Sequence, residues 1–583
     1  MFYNYPRYAV GRQIPVDLML LNEYVKESEK GSCQMKYATL IIIVAGVAIS
    51  TRAAVYYAAP KGTGDSLSAA TPGNIYTAVQ NAKESGDVVQ LAAGEYAIES
   101  SPVTLSVAGI TLKGADENDA TRTILQGPGT SKSMTGLVVT KEATVCDLTL
   151  KGFYLTGTGG AAASGADSVA RPADKLTARN CRIECNLASN SGRYNTAAAV
   201  YGGTWTNCVF NSNTNSVGNG GAAQTGTFID CLFTNNTAQF FGGAVYKGTS
   251  VNCHFVYNTT TAAGGAGGAV YGGLSQGCKF TGNSSYNGGA GGCVGNDVAE
   301  FSNCVFTANS AFNLYGGALI AGKTENLIVK NCSFYNNEGK TDHSAGGVAA
   351  GGTFTDCLFD SNNVGLYGSG GALSGAIATR CVFVSNTARH GGGSYNTVAN
   401  ECVYTNNASV SATRGISGAG SAISGGTIKN CLIINNREDE TKIKYAGTVV
   451  NATCINCTIV GNVTRASLNY GAAHSGTYTN CVVMGNSIDV AGGTHCKTLY
   501  QTQCNSPALT DCIQTDNAKF NKGAKEQLPY YYLRASSPAR NAGVDVGWAA
   551  EACDLRGKKR ICSDVVDLGC YEYQPVGFEI VVK

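Results

Sequence analysis

Thirteen cysteines, at positions 181, 208, 231, 253, 278, 304, 332, 357, 381, 402, 431, 457 and 481, each have Asn five residues later and a large apolar or aromatic residue two residues later. Cys208-Val-Phe210-Asn-Ser-Asn213, Cys304-Val-Phe306-Thr-Ala-Asn309 and Cys381-Val-Phe383-Val-Ser-Asn386 are examples. The intervals run from 21 to 29 residues, the range in which short strands and turns stack into a solenoid. Within one unit, Thr206 to Phe210 alternates, with Cys208 and Phe210 on one face and Asn207 and Val209 on the other, which is the period of a strand. Asn213 then marks a turn, and Gly220-Gly221-Ala222 supplies a second corner able to take positive φ. Three short strands and three bends per turn predict an all-β, right-handed parallel β-helix. Its twelve intervals stack to about 58 Å at roughly 4.8 Å per rung.

Stacking gives each repeated residue a reason. Phe at plus two meets Phe of the next coil, and Asn at plus five bonds along the axis as stacked amides do. Cysteines one coil apart lie about 4.8 Å apart with parallel side chains, whereas a disulfide needs converging Cβ atoms at about 3.8 Å. The thirteen therefore read as a column of buried, space-filling thiols. Among the 24 cysteines, those outside the column (Cys496, Cys504, Cys512, Cys553, Cys562, Cys570) are the better candidates for pairing. Helical repeats are excluded, because the segments lack a 3.6-residue period and are rich in Gly and β-branched residues.

The chain divides into residues 1–54, an N-terminal extension and signal peptide; 55–150, an N-cap and first irregular coils; 151–500, regular β-helix repeats; and 501–583, last coils and a C-terminal closing segment. Met35-Lys36, the apolar run Tyr37 to Ile49 and the small-residue exit Thr51-Arg-Ala53 follow the order of a secretory signal, with Met35 a candidate start. The run is too short for a membrane span, so no integral span is expected after signal removal. Asn74 to Gly86 reads as a helix capped by Asn74 and stopped by Gly86, placed to cover the open edge of the first coil. The period fades after Cys481. A net charge of +2 and only 14% charged residues argue against nucleic acid as a partner.

The Phe-x-x-Asn repeats with Gly-Gly-Ala-[Val/Leu], as in Gly242-Gly-Ala-Val245, Gly267-Gly-Ala-Val270, Gly316-Gly-Ala-Leu319 and Gly370-Gly-Ala-Leu373, resemble those of chlamydial polymorphic outer membrane proteins. The stretches Tyr57 to Asp65 and Gly86 to Tyr96 are similar to the start of pectin-lyase-like β-helix proteins. Ser537 to Gly543, Asp554-Leu-Arg-Gly557 and Asp567 to Tyr573 are similar to the ending of the choice-of-anchor Q surface proteins. These resemblances imply a β-helix exposed at a bacterial surface, adhesin-like or structural. No translocator barrel follows the repeats, which departs from the chlamydial pattern.

Enzymes on this fold cleave acidic polysaccharides with clustered carboxylates and a cation or Arg, so the acids are the first place to look. Asp230 and Asp356 share a phase but lie five coils apart, and Asp356 and Asp360 share a coil with neutral neighbours expected beside them. Arg437 to Lys444 reads as a solvated loop. Asp116-Glu-Asn-Asp119 begins like a calcium loop but lacks the Gly at position six and the Glu at position twelve. Cys454 and Cys457 have half-site spacing, yet Cys457 belongs to the column. Histidines 254, 343, 390, 474 and 495 occur singly. No catalytic residue, cofactor or metal site is assigned. The candidate ligand-binding residues are Tyr201, Tyr246, Tyr271, Tyr315 and Tyr367, which recur beside the glycines and would form an aromatic stripe. The expectation is a secreted or cell-surface protein, with association to a bacterial outer membrane as one form of it, a carbohydrate or host-surface partner and no catalysis. The alternative is a polysaccharide lyase or glycoside hydrolase.

Overall fold

A computed structural model describes residues 53–575 apart from 158, 166–174, 190–195, 198, 295–297, 314, 341–343, 366, 411–418, 439–446, 465–468, 523–530, 548–551 and 563–564. The apolar run at 37–49 and His343 thus lie outside the described residues. The chain forms an all-β parallel β-helix of about 14 turns. Among the described residues there are a main sheet of 32 strands, a second of 18 and a third of 12.

One rung shows how the sequence makes a coil. Ala223–Gln224 and Thr227–Ile229 lie in the main sheet, Leu232–Thr234 in the second and Thr237–Ala238 in the third. The rung therefore has four strands rather than three. The main-sheet side is kinked at Thr225 (φ 58°) and Gly226 (φ 102°). Two tight corners follow, at Asp230 (φ 53°) and Asn235 (φ 54°). The same two positions are left-handed in rung after rung, as at Asn207 and Ser212 or Asn331 and Asn336. Asn and Asp tolerate that region best, which explains the Asn so often found just before the repeated Cys. The turn dihedral is thus carried by the residue before each ladder Asn, not by that Asn itself.

The interior consists of in-register columns. Phe210, Phe233, Phe255, Phe280, Phe306, Phe334, Phe359, Phe383 and Tyr404 are paired in succession. Phe280 and Phe306 stack at 4.5 Å between ring centroids, and Phe383 and Tyr404 at 4.3 Å. A second set from the main sheet, Trp205, Phe228, Phe301 and Phe354, meets them edge-on, an arrangement aromatic rings favour. In the asparagine ladder each Nδ2 donates to the next Oδ1 and to a carbonyl one rung back. Asn309, for example, donates to Asn337 at 3.0 Å and to the Phe280 carbonyl at 2.9 Å. The backbone N–H of Asn309 shares the same Asn337 acceptor. At the end of the ladder, Asn486 donates from N and Nδ2 to Oδ1 of buried Asp489. A carboxylate, which only accepts, is the group that satisfies a ladder ending in donors.

The thiols are buried and unpaired. Each donates to carbonyls beside it, as Cys231 does to the carbonyls of Trp205 and Ile229, both at 3.3 Å. Burial pushes the Cys208 and Cys431 thiols well up, keeping them protonated donors. The column continues past Cys481: Leu499 pairs with Val482 and Ile513 with Leu499, which aligns Thr498 and Cys512 with the thiols. The fading period is thus a shortening of the coil. Cys496, Cys504, Cys512, Cys553, Cys562 and Cys570 are all free in the structure.

The N-terminal helix is Ile75–Asn81, shorter than the expected 74–86. Asn74 caps it by accepting from Thr77 N at 2.9 Å. Asp87 ends it early, its carboxylate accepting from the amides of Lys83 and Glu84, both at 3.0 Å. Ile75 and Ala78 join the core of the first coil with Ala58, Val89 and Leu91.

The C-terminal segment lies along the flank of the last coils. Leu533, Ala539, Leu568, Cys570 and Tyr571 form a second core with Val403, Leu432, Ile434, Val460, Val482, Met484 and Leu499, which point out of the second sheet. Corner asparagines hold the segment: Asn430 donates to the Cys553 carbonyl at 2.7 Å and Asn480 to the Val544 carbonyl at 2.8 Å.

Candidate ligand-binding flank

The third corner of each rung is a loop that begins three residues after the ladder Asn and ends in the main sheet. Ser285 pairs with Ala311, so the next residues, Tyr286 and Phe312, stand on adjacent rungs. Both rings are exposed, Tyr286 at 43% and Phe312 at 50%. Tyr315, in the same loop as Phe312, is 41% exposed. The two loops are tied by Asn313 Nδ2 donating to Asn287 Oδ1 at 3.4 Å. Tyr315 also lies over Gly288, where any Cβ would come within 2.9 Å of the Tyr315 Cβ and φ is 132°. On the next rung, Lys340 places its ammonium 4.6 Å from the centre of the Phe312 ring. Rigid strands thus present three aromatic rings and a cation on short loops.

The five tyrosines expected to form one stripe fall at three positions. Tyr201, Tyr246 and Tyr271 share a column, with Gln224 between the first two. Tyr246 and Tyr271 stack on each other at 5.3 Å, and Tyr271 also meets Phe241 at 4.6 Å. These rings turn faces to one another and seal that corner with Ala266 and Ile320. Tyr315 precedes Gly316 by one residue and Tyr367 precedes Gly370 by three, so neither joins the column. The Arg389 guanidinium lies 5.3 Å from the centre of the Tyr367 ring. Tyr286 and Phe312 escaped the sequence reading because the alignment followed the glycines. Counting three residues on from the ladder Asn finds both.

The acids lie at other corners. Asp356 does not sit among neutral neighbours: Arg380, one coil on, donates to it from Nε and Nη2, at 2.7 and 2.9 Å. Glu401 follows at the same corner, and all three have left-handed φ. The hydrogen bonds from Arg380 hold the Asp356 carboxyl below its usual range, while burial raises that of Glu401. Asp360 accepts from Ser361 Oγ at 2.8 Å. Asp116 is engaged by Arg122 and by the Asn118 amide, both at 3.0 Å. Of the 437–444 loop only Arg437 and Glu438 are described, and buried Glu438 accepts from the Gly447 amide. Cys454 and Cys457 are both buried and free. His495 is buried and stacks on Tyr478 at 4.7 Å, whereas His254 is exposed. Among the described residues no group of three metal-ligating side chains converges, and no helix is long and apolar enough to cross a membrane.

No family model and no curated protein matches the chain. Solved structures do. The catalytic domain of a GH87 α-1,3-glucanase in complex with nigerose aligns at a TM-score of 0.31 with 14% identity, over 68% of this chain and 66% of that one. The pectate lyase Pel9A aligns at 0.17 and 13% identity, over 90% and 98%. A GH87 α-1,3-glucanase from Streptomyces thermodiastaticus strain HF3-3 aligns at 0.22 and 10%, over 79% and 68%. The chain thus spans about two thirds of the first of these. What it has in common with them is the parallel β-helix.

Proposed function

We propose that this chain is an exported β-helix protein of a bacterial surface that holds glycans on its loop flank without cleaving them. The observation that carries the reading is the trio Tyr286, Phe312 and Tyr315, three exposed rings on the loops of two successive rungs. Sugar rings present C–H faces that pack on aromatic faces, and such rings on a rigid scaffold lose little entropy on binding. The export part rests on the signal-like run at 36–53. A surface role of adhesin or structural type follows from that run and from the repeat resemblance.

A second reading, a polysaccharide-cleaving enzyme, is favoured by the corner column Asp356, Arg380 and Glu401. It sets two carboxylates with opposite pKa displacements on either side of an arginine. Against it, Arg380 occupies both oxygens of Asp356. One experiment separates the two. The full chain is incubated with a panel of neutral and acidic polysaccharides, and both retention on the polymer and release of reducing or unsaturated ends are measured. Retention that falls in Phe312→Ala, with no product, supports binding. Product that disappears in Arg380→Ala would replace the binding reading with the enzymatic one.

A further inference from the structure

Alternation along the third sheet leaves two outward positions in each rung, one and three residues after the ladder Asn. From the rung of Asn213 to that of Asn309, the nearer position carries a hydroxyl. Thr214, Thr237, Thr259, Ser284 and Ser310 are half-exposed there and paired in succession, with Glu338 after them. The farther position reads Ser216, Gln239, Thr261, Tyr286, Phe312 and Lys340, all exposed or half-exposed. Backbone hydrogen bonds hold this row in line with the coil axis. The amides of Ser216, Gln239, Thr261, Phe312 and Lys340 donate one rung back, to the carbonyls of Ala188, Asn215, Ala238, Ser285 and Ala311, at 2.8 to 3.1 Å. Tyr286 is placed in the row by the pairing of Ser285 with Ala311. Six residues make five steps, about 24 Å at roughly 4.8 Å per rung. The outcome is a straight strip in which polar side chains lead up to two rings.

Resting on the glycan-binding reading, we propose that the ligand of this flank is an extended β-1,4-linked polysaccharide that lies along the coil axis and is held at internal sugars. Both linkage bonds of such a pyranose leave its ring equatorially from opposite ends. The chain therefore runs straight and advances by one ring length per sugar, close to the roughly 4.8 Å of one rung. Sugars over Phe312 and Tyr286 carry the chain on to Thr261 and Gln239. There these side chains, with the hydroxyls of Thr259 and Ser284 beside them, meet the hydroxyls at the sugar edges. An α-1,4-linked chain bends at its axial bond and leaves the strip beyond the rings. A single terminal sugar uses the rings alone.

The test uses the full chain and oligosaccharides of two to six sugars, the β-1,4-linked cello-, xylo- and manno- series and the α-1,4-linked malto- series. At least one β-1,4 series should bind with an affinity that climbs with each added sugar up to five, and the malto- series should show no such climb. Phe312→Ala should weaken every length about tenfold. Thr261→Ala and Gln239→Ala should each weaken the five- and six-sugar chains about fivefold, the scale of one hydrogen bond, and leave the two-sugar forms unchanged. Equal affinity for two and six sugars, or row variants that weaken all lengths alike, would overturn the axial placement while leaving glycan binding intact. A malto- series that climbs as steeply, or the binding of no β-1,4 series, would overturn the linkage, with the glycan reading then decided by the polysaccharide panel. Phe312→Ala with no effect on a series that binds would overturn the glycan reading of this flank itself.

Discussion

The middle and the last rungs share an interior and differ on one outer face. From Val209–Asn211 to Val305–Thr307, strands of the second sheet bury only their central residue, and the flanking pair stays half-exposed or exposed. From Val403–Thr405 to Val482–Met484, all three residues are buried. The interior column stays in register across this boundary but changes from rings to aliphatic side chains: Phe383 stacks on Tyr404, and Ile433, Ile459 and Val483 carry the column on. What changes on the outer face is the cover: Leu533, Leu568, Cys570 and Tyr571 lie on the later strands. Stability in the middle rungs thus comes from one core, and in the last rungs from two.

The largest expected effect is common to both regions. Phe306→Ala removes a fully buried ring stacked on two others and should cost about 3–5 kcal/mol, measured by denaturant unfolding. Tyr404→Ala, in the first of the later strands and stacked on Phe383, should cost a similar amount. If one were far cheaper than the other, the ring column would not be uniform.

Leucine at plus one separates the regions. Leu432 is fully buried under the C-terminal segment, so Leu432→Ala should cost about 2–5 kcal/mol. Leu232, at the same place in a middle rung, is half-exposed, and Leu232→Ala should cost about 1 kcal/mol or less. Equal losses would show that the segment does not cover the later strands.

The repeat made the coil, the phenylalanine stack and the amide ladder legible, because in-register stacking forces like residues to recur. The cover was legible too, in a column that was not followed: the outward pair changes from Leu232 and Thr234 to Leu432 and Ile434, then Val482 and Met484. A strand whose outer face turns apolar has acquired a partner. The kink at Thr225 and Gly226 was hidden, because glycine there looks like any turn glycine. The edge-on column of Trp205, Phe228, Phe301 and Phe354 has gaps, at Ser250 and Ser275 for example, so no phrase repeats. The binding flank was hardest, since loop length varies and the exposed rings keep register only with the ladder Asn.

Acidity should act most on the cover. Burial, and then the charge of Asp567, push the Glu572 carboxyl up to about 7. Burial raises Asp567 as well. Glu572 accepts from the Asp567 amide at 3.0 Å, and buried Arg560 offsets the pair only in part. A carboxyl raised in the folded state contributes stability that is complete below its ordinary value, near 4.5. That contribution is lost as pH rises through about 7. Protease cleavage within 531–575 should therefore be faster at pH 8.5 than at 5.5, with the middle rungs equally resistant at both. Glu572→Gln should remove the difference. A pH effect that survives this substitution would assign the titration to another group.

The smallest effect tests the face assignment itself. Thr307 and Phe306 are neighbours on one strand, yet Thr307 points outward and is half-exposed while Phe306 is fully buried. Thr307→Ala removes a hydroxyl and a methyl that water already reaches, and it keeps the backbone pairing to Thr281 and Tyr335. Only β-propensity is lost, so the change should stay within about 0.5 kcal/mol. The matching substitution at Ile434, buried beneath the cover, should behave like a core truncation of about 2–5 kcal/mol. If Thr307→Ala cost as much as Ile434→Ala, the middle rungs would also carry a cover on this face, and the distinction between one core and two would fail.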